Sequence, residues 1–266
     1  MAVEPVYVGA VAAGRAMFGM LRVRREVRGA ENLPDTGGAV LAITHFGYLE
    51  FAIVEWVTYL HNRRHIRFMA KKAAFKGWPL GALMRGMKHI PVDRAAGAGA
   101  FDEAIAALKR GELIGVFPEG TVSRAFQVRP LKTGAVRLAQ KAGVPLIPIA
   151  VWGGQRLLAK QVKSRFRDRF GVPVHVSIGE PIPVAVSDDA RAVSERLQLE
   201  LQRLTHELQA GYPDDGAGAW WQPAGSGGAA PTPSEELEQD AVRAAAKTAR
   251  KPARKRGRKP GRKSSG

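Results

Sequence analysis

The sequence predicts an α/β protein on a largely parallel sheet flanked by helices, followed by a disordered basic tail. Two observations carry this class. Short apolar runs of four to seven residues alternate through 23–211 with helical stretches of about 10 to 15 residues, the pattern of strands joined by crossover helices. Residues 249–266 instead alternate Lys and Arg with Gly, Pro and Ser and hold no apolar residue larger than Ala, so they cannot bury enough surface to offset the entropy of ordering.

Residues 5–21 are rich in apolar and small side chains but contain Arg15 and three glycines, too short and broken for a membrane span. Arg15, Arg22, Arg24 and Arg25 flank Met17, Phe18, Met20 and Leu21, which suits an interfacial helix on anionic lipid or, equally, a terminal helix packed on the domain. An extended run at 23–28 ends at Gly29, and the turn 32–38 delivers the chain into an apolar strand at 39–43. Leu49, Ile53, Trp56, Val57 and Leu60 have helical spacing, 66–70 reads as a strand, and 79–87 as a helix with Pro79 in its first turn. Strands follow at 89–92, 113–117, 145–151 and 172–178, with helices at 101–108 and 131–142, the latter ended by Gly143. Val193, Leu197, Leu201, Leu204 and Leu208 mark a closing amphipathic helix. Past Gly211 the composition turns to Gly, Ala and Pro around Trp220 and Trp221, with a short helix expected within 234–247. The chain thus divides into an N-terminal helix (1–22), a catalytic-type α/β domain (23–211), a linker (212–248) and the tail (249–266).

At 266 residues with 45% hydrophobic side chains, the chain can build a sizeable core. With no cysteine there is no disulfide, thiolate metal site or cysteine nucleophile, which fits a reducing compartment. No positively charged segment precedes the first apolar stretch, so no secretory signal is expected and the protein is placed in the cytoplasm. The formal net charge of +17 calls for an anionic partner. Its distribution is uneven: 11 Lys/Arg and no acid lie from Arg243 onward, which leaves +6 on the rest.

Residues 41–51 read Leu-Ala-Ile-Thr-His-Phe-Gly-Tyr-Leu-Glu-Phe, a strand that gives way to a helix with His45 at the junction and Glu50 five positions on. Such a histidine sits at a sheet edge where a substrate can reach it, and a carboxylate can fix its tautomer and stabilise the proton it takes. By itself the pair is equally a helix cap and a first-turn acid. Three further segments add weight. Ile90-Pro-Val-Asp-Arg94 puts a guanidinium past a strand, where it can fork onto a phosphate or pair with Asp93. Val116-Phe-Pro-Glu-Gly-Thr121 breaks a strand and is expected to expose Glu119, which could hold a substrate hydroxyl or be only a turn. Gly143-Val-Pro-Leu-Ile-Pro-Ile149 is an apolar strand.

In this order and at these intervals the four segments resemble the blocks of the glycerolipid acyltransferase family that contains the 1-acylglycerol-3-phosphate O-acyltransferases, over roughly 27–183. The resemblance implies that family's fold, a mostly parallel mixed sheet flanked by helices, and a role for each block. His45 is then the general base with Glu50 behind it, Lys71 and Arg94 contribute to the phosphate site, Glu119, Gly120 and Thr121 form the acceptor site, and Pro145 and Pro148 are structural. It further implies direct acyl transfer from acyl-CoA or acyl carrier protein to a lysophospholipid hydroxyl, with no metal and no cofactor beyond that co-substrate. Five positions depart from the family pattern: Glu50 for Asp, Gly47 for Ser, Ala73-Ala74 for Glu-Leu, and Val122 for Arg. Arg124 is expected to supply the charge missing at Val122.

The tail segment 255–263 offers an A·T-rich minor groove, anionic lipid headgroups or, equally, no dedicated partner as a solvated tail. Of the two partners lipid is favoured, because an enzyme of this kind works where its product accumulates, and this places the protein peripherally on the cytoplasmic face of the membrane. The alternatives carried forward are another lysolipid or glycolipid acceptor, or a degenerate acyltransferase fold kept as a binding module with a nucleic-acid-binding tail.

Overall fold

The computed structural model describes residues 4–93, 98–162 and 164–249. Its elements run α1 (Pro5–Met20), β1 (Arg24–Arg28), β2 (Ala39–Ile43), α2 (Glu50–Asn62), β3 (Ile66–Lys71), α3 (Leu80–Gly86) and β4 (Ile90–Val92) in the first part of the chain. α4 (Ala98–Lys109), β5 (Leu113–Val116), α5 (Gly134–Ala142), β6 (Leu146–Trp152), the short α6 (Gly154–Leu157), β7 (Pro173–Ile178), α7 (Ala190–Ala210) and α8 (Pro233–Ala249) follow. Strand positions match the sequence reading to within one or two residues. α5 starts three residues later than expected, because the Lys132 N–H is tied to Pro118 O (3.0 Å) rather than to a helix.

Seven strands form one sheet in the order β1-β7-β6-β2-β5-β3-β4. Every pairing is parallel except β6 with β7. β2 lies at the centre, and all five of its side chains are fully buried. The pleat sends alternate residues to opposite faces: Leu41 and Ile43 pack with Ile53, Val54 and Val57 of α2, and Val40 and Ala42 pack with side chains of α4, α5 and α7. Helices therefore cover both faces, as a parallel sheet requires. One consequence governs the function: β2, β3, β4, β5 and β6 all end at the same sheet edge, the edge where open α/β sheets bind ligands.

Both terminal segments are built into the domain. α1 buries Tyr7, Val11 and Phe18, and the Tyr7 hydroxyl donates to Glu55 Oε2 at 2.9 Å. This helix packs on the domain over residues 5–20. Residues 212–248 differ from the expected linker. Trp221 and Ala230 are buried against Phe46, Trp152, Leu204 and Leu208, and the helix after them is 17 residues long. The Gly/Ala/Pro composition concealed this, since the paired tryptophans carry most of the apolar area. Residues 250–266, which hold nearly all of the basic tail, lie outside the described residues.

Candidate active site

At the end of β2 the Thr44 hydroxyl accepts the Val151 N–H (3.0 Å) and so fixes the strand against β6. His45 follows, with its ring stacked on Phe117 at 4.1 Å between centroids and 25° between planes. Its Nδ1 lies 3.7 Å from Glu50 Oε2, at the first residue of α2. That separation is an ion-pair distance and too long for a hydrogen bond. Glu50 is 0% exposed, and neither its two oxygens nor His45 Nδ1 has a hydrogen-bond partner among the described residues. A buried carboxylate without donors costs several kcal/mol unless an opposite charge faces it. The imidazole is the group placed to supply that charge. Nδ1 is fully buried, so the 18% exposure of the His45 side chain belongs to its other atoms.

Gly47 makes room for this acid. A Cβ there would lie 2.9 Å from Leu158 O, 3.0 Å from Gln155 Cα and 3.0 Å from Glu50 Oε1. Two of the departures from the family pattern are thus in contact, the longer acid filling space that a side chain at 47 would take.

Glu119 differs from the exposed carboxylate expected. It is buried, and both oxygens are engaged: Oε1 accepts the His45 N–H at 2.8 Å and Oε2 the Arg129 N–H at 3.0 Å. Burial pushes its carboxyl up to about 8, against the pull of those two backbone bonds. The residue staples the turn after β5 onto the β2–α2 corner, and the Ser123 N–H adds a second tie to His45 O (2.8 Å). Gly120, at φ +70°, lets the chain reverse, and Thr121 Oγ1 accepts from Lys160 Nζ at 3.4 Å.

Arg124 is not available for phosphate, which corrects the expectation from sequence. It is 8% exposed, its guanidinium lies 3.1 Å from Asp240 Oδ1 and bonds Gln239, and its N–H donates to Glu236 Oε1 at 2.8 Å. Arg129 is held by the same helix, 2.9 Å from Glu236 Oε1 and 3.2 Å from Asp240 Oδ2. These partners come from α8, more than a hundred residues downstream, and no local signal announces them. Lys71 is exposed at the end of β3, on the His45 edge but two strands from β2, about 10 Å laterally. Arg94 lies outside the described residues. Phe117, Arg129, Lys132 and Lys160 also border the site and were not singled out from sequence; Lys160 has no local motif that could have marked it.

A histidine beside a buried carboxylate thus lies at the ligand-binding edge of an open α/β sheet, where a substrate can reach it. A family model described as Acyltransferase matches residues 24–152. The chain is 33% identical over 189 residues to a 1-acyl-sn-glycerol-3-phosphate acyltransferase of Bacillus subtilis, covering 71% of this chain and 92% of that protein. A Pseudomonas aeruginosa protein of the same name is 30% identical over 139 residues, 50% of this chain and 51% of that one. In fold it resembles the crystal structure of the 1-acyl-sn-glycerophosphate acyltransferase of Thermotoga maritima, with a TM-score of 0.65, 24% identity and coverage of 78% and 81%. The chain belongs to the acyltransferase family that includes the 1-acyl-sn-glycerol-3-phosphate acyltransferases, and it is an acyltransferase.

Proposed function

We propose that this acyltransferase moves a fatty acyl group from acyl-CoA or acyl carrier protein to the free hydroxyl of a lysophospholipid, 1-acylglycerol-3-phosphate being the acceptor that gives phosphatidic acid in phospholipid synthesis. The observation that carries the reading is the pair of His45 and Glu50 with bare, buried polar atoms. A hydroxyl has a pKa far above neutral, so the base must take its proton as the oxygen attacks. In this mechanism the acceptor O–H proton passes to His45 while oxygen forms its bond to the thioester carbonyl. Glu50 steadies the resulting imidazolium, the C–S bond breaks, and the thiolate leaves with the proton that His45 returns. A fold retained only for binding would have no use for an unsatisfied Glu50.

Lys71 and Arg94 are proposed to serve the acceptor phosphate together with the Gly120–Thr121 turn. Peripheral attachment to the cytoplasmic membrane face belongs to the same proposal. Among the described residues no helix is long and apolar enough to cross a membrane. Trp78, 87% exposed, and Leu80, 58% exposed, stand beside Lys76 where they can meet anionic lipid. The test is to incubate the full chain with oleoyl-CoA and a panel of lysophospholipids and to follow products by mass. Conversion of 1-acylglycerol-3-phosphate to phosphatidic acid is the expected result, and acylation of other acceptors alone would overturn the substrate assignment.

A further inference from the structure

Four cations converge on the Gly120–Thr121 turn, and they fall into two kinds. Arg124 and Arg129 lie behind it, each paired with Glu236 and Asp240 of α8. Lys160, in the loop after α6, approaches Thr121 Oγ1 at 3.4 Å and takes part in no ion pair among the described residues. Lys132 lies against Gly120: a Cβ on that glycine would meet its Nζ at 3.1 Å and its Cε at 3.2 Å. The side chain that a non-glycine residue would carry at 120 is thus replaced by an ammonium group.

The charges do not balance. The two arginines and two lysines carry four positive charges, and Glu236 and Asp240 return two. Arg243, 3.8 Å from Asp240, adds to the excess from the solvent side. Glu119 subtracts little at neutral pH, since burial raises its carboxyl to about 8. This surplus of positive charge suits a phosphate monoester, which carries about −1.5 to −2 at pH 7. Burial lowers the Lys160 pKa, with Arg124 and Arg129 acting in the same direction and the charges of Asp240 and Glu236 opposing them, and an arriving anion favours the charged ammonium further. Position 122, where the family resemblance places an arginine, is a buried valine and supplies none of this charge.

We propose that Lys160, together with Lys132, binds the phosphate of the acceptor at the Gly120–Thr121 turn, the role that the sequence assigned to Arg124. The assignment rests on the acceptor reading given above. It places the phosphate beside the peptide that Glu119 staples to His45, so that the group held and the hydroxyl to be deprotonated belong to one rigid unit.

The test is Lys160→Met in the full chain, with the Km for 1-acylglycerol-3-phosphate and for oleoyl-CoA measured separately. Loss of a charged hydrogen bond to phosphate should raise the acceptor Km about 10-fold or more, with the oleoyl-CoA Km within about twofold of wild type. Lys160→Arg, which keeps the charge, should restore most of the acceptor affinity, and Lys132→Met should give a smaller rise in the same Km. An unchanged acceptor Km in a folded Lys160→Met protein would overturn the assignment, and so would a rise in the oleoyl-CoA Km alone, which would give the lysine to the phosphates of the donor. If the wild-type protein acylates lysophosphatidate and the variant is unaffected, only this assignment falls. If the wild-type protein acylates no phosphorylated acceptor at all, the function proposed above falls and takes the assignment with it.

Discussion

Helix α2 carries two glutamates that each face a histidine, and the two pairs have opposite surroundings. Glu55 meets His65 Nδ1 at 2.8 Å, while its other oxygen accepts the Tyr7 hydroxyl and the Ile66 N–H, both at 2.9 Å. The His65 ring lies between Tyr7 and Tyr59, with centroids 4.0 and 5.4 Å away. Glu50 stands 3.7 Å from His45 Nδ1 and has no donor on either oxygen among the described residues. Unpartnered buried polar atoms also occur elsewhere, at Thr58 Oγ1 and His175 Nδ1, so it is the missing donors together with the place at the ligand-binding edge that sets the His45–Glu50 pair apart. The residue types are the same in both pairs; what separates them is whether the surrounding chain supplies donors.

The largest test of this contrast exchanges activity for stability. His45→Ala should lower kcat by about 10²- to 10⁴-fold, the range for loss of a general base, with little change in thermal midpoint. Glu55→Gln should act in reverse. An amide cannot accept from all three donors, so about 1–3 kcal/mol of stability should be lost in denaturant melts while kcat stays within about twofold. A His45→Ala protein that turns over normally, or a Glu55→Gln protein that is stable and inactive, would exchange the roles of the two pairs.

The region around Glu55 also predicts a pH dependence of stability. His89 packs edge-on against Tyr7 and Phe68, and its Nδ1 accepts the Phe68 N–H at 3.2 Å. Burial, reinforced by the charge of Arg67, pulls its imidazole down from 6.5 to about 4. The folded protein therefore holds His89 neutral over a range where the unfolded chain binds a proton. Its contribution is full above pH 6.5 and is lost as the pH falls from there through 4, reaching about 3 kcal/mol. His89→Gln, which can still accept the Phe68 N–H, should flatten the stability curve across that window. An unchanged slope in chemical denaturation between pH 6.5 and 4 would show that another group carries the acid sensitivity.

Strands and helices were legible because hydrophobic period is a local property, and the unbroken apolar run at 39–43 states its two buried faces directly. The site was legible as a set of blocks, since each is a contiguous run. The surroundings of its members were not. Glu119 was read as exposed from the Pro and Gly around it, yet its oxygens are claimed by backbone donors, one of them 74 residues away. Arg124 was read as available for phosphate, and the carboxylates that hold it lie 112 to 116 residues onward, in a stretch whose composition suggested a linker. Charge compensation depends on which surfaces meet in three dimensions, and no residue spacing encodes it.

The smallest expected effect concerns the catalytic corner itself, where Gly47 and Glu50 both depart from the family pattern and touch one another. A Cβ at 47 would sit 3.0 Å from Glu50 Oε1, so a side chain there pushes the acid, while Leu158 O at 2.9 Å blocks it from the other side. Gly47→Ser should therefore slow turnover about 10-fold or more, and Glu50→Asp should slow it a few fold by drawing the carboxylate back from His45. In the double variant the shorter acid removes one of the three collisions. The combined loss should fall short of the product of the single losses by about fivefold in kcat/Km, a coupling of about 1 kcal/mol typical of residues in contact. Strict multiplicativity would mean that the Leu158 carbonyl and Gln155 exclude a side chain at 47 on their own. Glycine would then be required by the backbone of the β6–α6 turn, and the longer acid would be an independent substitution, positioned by α2 alone.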